Sequence, residues 1–157
     1  MSSRLAVVAV VLLYACSSSQ PSNFSLTRAS VDATYWCPGG SHDAAYDVHA
    51  TIDARNNTPS AVSIESATAS MTLESVTGNW LEKVGDRYEA SKVTFDPSSV
   101  AAGETVHIKI TFSSACTSGQ YNAGKTSQGD YRVMMRLTTS AGSYSIAASN
   151  PHSILAA

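Results

Sequence analysis

From Phe24 onward, apolar residues recur at every second position, and no stretch longer than about ten residues keeps helical spacing uninterrupted. The clearest run is Val93 to Phe112. Val93 and Phe95 end at Asp96-Pro97, Ala102-Gly103 turns, and Val106, Ile108, Ile110 and Phe112 alternate with His107, Lys109 and Thr111. Tyr46, Val48, Ala50 and Ile52 alternate in the same way with Asp47, His49, Thr51 and Asp53, which predicts a strand with one wet face. Val62 and Ile64 lie on even positions, but Ala67, Ala69, Met71 and Leu73 on odd ones. Strand side chains alternate strictly, so the change of phase predicts a bulge or break near Ser66. Phe24 to Tyr35 reads as a weak first strand or pair. Tyr131, Val133, Met135 and Leu137 form a later strand, with Met134 pointing the other way. Tyr144, Ile146 and Ala148 form another, across a hairpin turn at Ser140-Ala141-Gly142. Seven or eight short strands predict an all-β antiparallel sandwich, with a closed barrel as the alternative.

The strand, Pro-containing loop, Gly turn and strand of Val93–Phe112 resemble a segment common in bacterial immunoglobulin-like and fibronectin-like domains. The resemblance covers about 20 residues and implies an immunoglobulin-like fold, with no functional motif attached.

Ahead of the strands, Leu5 to Ala15 reads LAVVAVVLLYA, eleven residues without a charge, preceded by Arg4. As a helix this run rises only about 16 Å, against a hydrocarbon core of roughly 30 Å, so it is expected to be an export signal and not a span. Leu13-Tyr14-Ala15-Cys16 resembles the lipobox of bacterial lipoproteins, with Tyr14 where that pattern has a small residue. The resemblance implies that Cys16 becomes the acylated, palmitate-bearing first residue of the mature protein. Ordinary signal cleavage after Ser17 is the alternative. The expected organisation is a signal peptide over 1–15, a polar tether over 16–23 and one sandwich domain over 24–157.

With Cys16 acylated, Cys37 and Cys116 remain of the three cysteines as a disulfide pair, as exported chains commonly form. Two buried free thiols are the alternative. A bridge closing a loop of about 80 residues would contribute on the order of 4 kcal/mol. A net charge of −2 with scattered lysines and arginines argues against nucleic acid, which needs a concentrated basic face.

Gly119-Gln120-Tyr121-Asn122-Ala123-Gly124-Lys125-Thr126 satisfies the phosphate-loop pattern letter for letter. That chemistry needs a helix after the loop, so that backbone amides and the positive helix end converge on phosphate. Tyr131 to Leu137 alternates as a strand instead, so a surface loop is expected, without nucleotide. His49 and His107 fall on the wet phase of their strands, His42 in a loop and His152 near the C-terminus; they form no metal signature. No G-x-S-x-G elbow marks a nucleophilic serine, and no two carboxylates pair at a glycosidase-like spacing. Trp36 is expected to cover the disulfide. Trp80, Tyr88 and Tyr121 lie in irregular segments where rings could meet sugars or peptides, and they are the candidate ligand-binding residues.

The resulting expectation is an envelope lipoprotein, held to a membrane by Cys16, with a non-enzymatic binding or assembly module facing the periplasm or exterior. Its partners would be envelope proteins or cell-wall glycan, and no cofactor is expected. A carbohydrate- or peptidoglycan-binding module is the alternative, and a secreted hydrolase or metal-binding protein a further one.

Overall fold

The alternating residues build two stacked sheets, antiparallel in all but one strand pair among the described residues. The computed structural model describes residues 23–38, 44–116 and 126–156. Among the described residues there are eleven strand segments: β1 Phe24–Val31, β2 Thr34–Trp36, β3 Ala45–Asn56, β4 Val62–Thr77, β5 Arg87–Glu89, β6 Val93–Asp96, β7 Ser99–Val100, β8 Thr105–Ala115, β9 Ser127–Thr139, β10 Gly142–Ala147 and β11 His152–Ala156. One sheet has the order β1-β3-β8-β6. The other has β2-β11-β9-β4-β5, with β10 also on β9 and β7 on β4. These orders match strands A-B-E-D and C-F-G of an immunoglobulin-like sandwich, with β10 and β11 together forming the last strand. The fold is that sandwich and not a barrel.

The expected seven or eight strands become eleven segments because three of them are interrupted. The first leaves one sheet after Val31 and joins the other as β2, parallel to β11. Pro97 carries no N–H, so pairing with β8 stops at Asp96 and the chain crosses to β4 as β7. The last strand breaks over 148–151, where the Asn150 side chain turns aside and bonds both Val31 N (3.2 Å) and Val31 O (2.8 Å). Strand β11 was not expected, although His152, Ile154 and Ala156 point inward on a clean period of two.

Both sheets bury the predicted phase. Val48, Ile52, Ile108, Ile110 and Phe112 meet Met71, Leu73, Val133, Met135 and Leu137 across the core, as expected for stacked sheets. The phase change in β4 is a register shift between Ile64 and Ser66, and a second lies between Leu73 and Ser75. Asn56 is buried at one end of the sandwich, where its amide donates to Ser60 O and Val100 O and its Oδ1 accepts from Thr58 N. The turn over residues 55–59 is therefore built around a satisfied interior polar group.

Cys37 and Cys116 form the disulfide, with Cα atoms 5.9 Å apart and a sequence separation of 79. The bridge ties the end of β2 in one sheet to the end of β8 in the other. Trp36 does not cover it: the indole stands 60% exposed, because alternation along β2 sends it away from the core that buries Cys37. Phe24 pairs with Asn56, and Ala45 pairs with Ala115 beside the disulfide. The chain thus enters the domain at the end opposite the bridge.

Candidate functional site

The disulfide end of the sandwich gathers Tyr35, Tyr46, Trp80, Tyr88, Tyr131 and His152. Gly78, at φ +79°, turns the chain out of β4 where a Cβ would stand 2.7 Å from Ser127 Oγ. That hydroxyl accepts the Asn79 N–H at 3.1 Å, which fixes the start of the loop. Trp80 then folds inward and lies over Gly129 of β9. A Cβ at Gly129 would come within 2.7 Å of the indole ring, so only glycine leaves room.

The indole N–H of Trp80 donates to Tyr131 Oη at 3.0 Å and, more weakly, to Glu82 Oε2 at 3.3 Å. Tyr131 in turn donates its hydroxyl to the same Glu82 oxygen in a very short contact. Tyr88 stands alongside, its hydroxyl donating to Ser113 O at 3.2 Å. Glu82, Tyr88, Tyr131, Ser114, Met71 and Ile154 surround a pocket of about 20 Å³. That is room for one water-sized group and far below the several hundred Å³ of a small-molecule site.

Deeper in, Tyr46 stacks on Tyr35 with ring centroids 3.7 Å apart. Its hydroxyl lies 2.9 Å from Nε2 of His152, whose Nδ1 is 2.6 Å from Asp32 O. Nδ1 must therefore carry the proton given to the carbonyl, and Nε2 accepts from the tyrosine. Burial pushes the Tyr46 hydroxyl well above its ordinary value. Burial likewise holds the His152 ring below its usual range, partly offset by the carbonyl and the charge of Asp32.

Trp80 and Tyr88, both singled out in the sequence, thus come together around Glu82. Tyr88 belongs to the short strand β5 and not to an irregular segment. Trp80 is half-buried and its N–H is taken, so it closes the end of the sandwich as rim packing. Tyr121 lies outside the described residues, as do Cys16 and His42. Glu82 and Tyr131 carried no sequence signal as a pair, since 49 positions separate them.

His49 and His107 are exposed on the outer face of the first sheet. Each meets an aspartate, Asp32 at 2.9 Å and Asp53 at 2.6 Å respectively. Among the described residues, no three His, Cys, Asp or Glu side chains are grouped for a metal ion. The phosphate-loop pattern lies outside the described residues up to Lys125, and strand β9 follows it from Ser127 where a helix would be required.

Gly129→Ala is expected to push the indole off Tyr131 and Glu82 at a cost of about 1–3 kcal/mol, as overpacking does. Urea unfolding followed by tryptophan fluorescence measures both effects. An unchanged midpoint and emission spectrum would show that the indole yields without loss.

No protein-family model matches the chain, and no curated protein does. Three solved structures are similar in outline. The ASH/PapD-like domain of human CEP192 (PapD-like domain 7) is 12% identical, with a TM-score of 0.33 over 98% of this chain and 96% of that one. AggA, the major subunit of aggregative adherence fimbriae type I from Escherichia coli, is 8% identical, with a TM-score of 0.41 over 86% of this chain and 96% of that one. The VesB protease of Vibrio cholerae is 12% identical at a TM-score of 0.23, and this chain spans 31% of its length. At these identities the likeness concerns the fold alone, and strand order and register define this chain as an immunoglobulin-like β-sandwich closed by one disulfide.

Proposed function

We propose that this chain is an exported lipoprotein of a bacterial envelope. Cys16 carries the acyl chains, residues 17–23 form the tether, and the sandwich is a non-enzymatic binding or assembly module. The disulfide is the observation that carries this reading, because such bridges persist where thiols are not kept reduced. It also leaves Cys16 as the odd cysteine, at the end of an uncharged run. The polar side chains at the disulfide end support a binding role over catalysis: Tyr46, His152, Trp80 and Tyr131 are bonded to one another or to the backbone.

The tether enters beside Phe24, and β3 runs 12 residues from there to the disulfide end, about 40 Å. In an anchored protein, the end bearing Trp36, Trp80 and Tyr88 would face away from the membrane. Radiolabelled palmitate is expected to mark the wild-type protein in growing cells and to leave a Cys16→Ser variant unlabelled. Equal labelling of the two, or none of either, would remove the anchor from the account.

A further inference from the structure

Glu82 holds a carboxylate whose two oxygens are treated differently. Oε2 takes both donors, the Tyr131 hydroxyl and the Trp80 indole N–H. Oε1 accepts from no donor among the described residues. None of the ion pairs among those residues involves Glu82, so no lysine or arginine there neutralises it. The carboxylate lines the 20 Å³ pocket together with Tyr88, Tyr131 and Ser114.

A half-buried carboxylate that no cation among the described residues neutralises favours a compact cation through direct charge attraction and charge-assisted hydrogen bonds. The size of the pocket sets the rest. It admits one group the size of water, which a primary ammonium matches and a quaternary ammonium or a guanidinium exceeds.

The geometry points to a recognition site for a primary ammonium group at Glu82, walled by Tyr88 and Tyr131. The Trp80–Tyr131 hydrogen bonds hold the carboxylate in place from one side and leave the other oxygen for the incoming N–H donors. The ammonium could come from a lysine side chain of a partner protein or from a free small amine. The site rests on the binding-module reading but not on the anchor, so a Cys16→Ser protein would keep it while losing palmitate.

The test uses the full-length protein in detergent micelles, with the Trp80 indole N–H as an NMR reporter two bonds of the network from the ligand. Methylammonium chloride is expected to shift that resonance saturably, with half-saturation of roughly 1–10 mM, the range of one half-buried, charge-assisted hydrogen-bonded pair. Potassium chloride at equal ionic strength and tetramethylammonium chloride are expected to give no saturable shift. Nα-acetyl-lysine amide would bind and its Nε-acetylated form would not if a lysine side chain is the source. Binding of methylammonium without the lysine derivative would assign a free amine. Glu82→Gln is expected to weaken binding at least tenfold, and Glu82→Asp, which keeps the charge but withdraws it, severalfold. The proposal is overturned if methylammonium shows no saturable effect, if potassium or tetramethylammonium reproduces it, or if both Glu82 variants respond like wild type.

Discussion

Replacing Cys37 and Cys116 together by alanine is expected to lower unfolding free energy by about 4 kcal/mol, most of it through the unfolded chain. The bridge closes a loop of 79 positions, and its removal returns to the denatured ensemble the entropy of that closure. Both sulfurs are buried, so the lost packing adds to the effect. The melting temperature should fall by roughly 12–20 °C in a domain of this size. The double replacement leaves neither position as a thiol that could form mixed disulfides. Urea unfolding of both proteins, analysed as a two-state transition, gives the difference directly. A difference below about 1 kcal/mol would mean that the reduced ends stay together without the bond.

The second large effect concerns His152, which is 1% exposed between the Tyr46 hydroxyl and the Asp32 carbonyl. Because burial holds its folded pKa below the ordinary 6.5, the unfolded chain takes up a proton at a higher pH than the folded one does. Stability is therefore full above about pH 7 and falls as the pH drops through 6.5 toward the lowered folded value, levelling off beneath it. The slope in that window approaches 1.4 kcal/mol per pH unit for this one group. Asp130 titrates in a separate window. Burial raises its carboxyl, but hydrogen bonds from Ser75, Ser153 and Gln128 outweigh this and hold it below 3.8. Its contribution is thus lost only at more acidic pH. His152→Ala is expected to cost about 3–5 kcal/mol at neutral pH, combining a cavity with an unpaired Asp32 carbonyl and a Tyr46 hydroxyl left with Ser114 alone. It should also flatten the pH dependence between 5 and 7. Urea midpoints of wild type and variant across that range decide the matter, and identical slopes would place the titration elsewhere.

Much of the architecture was legible because a strand writes its burial into the sequence every second residue. Tyr46, Val48, Ala50 and Ile52 were read as one inward face, and all four are buried in β3. The phase slip near Ser66 was visible for the same reason and is a register shift in β4. What escaped was set by breaks in pairing. The four-residue break between Ala147 and His152 hid β11, since nothing local says that Asn150 leaves the sheet to clamp Val31. Trp36 sits next to Cys37, and adjacency suggested contact, but neighbours on a strand face opposite sides.

The candidate site was half readable. Loop rings at Trp80 and Tyr88 were visible, yet the carboxylate that joins them was one acidic residue among many. A lone glycine at 129 gave no hint that an indole rests on it.

Alternation, a property of the linear chain, determined two apolar-faced sheets, while cysteine parity pointed to Cys37 with Cys116 only on the expectation that Cys16 is acylated, and the structure makes that bridge. Only the tertiary structure decided which side chains share an environment. Glu82, Tyr88, Tyr131 and His152 come from different strands and loops, and their charge, donors and burial depend on neighbours that no local spacing encodes.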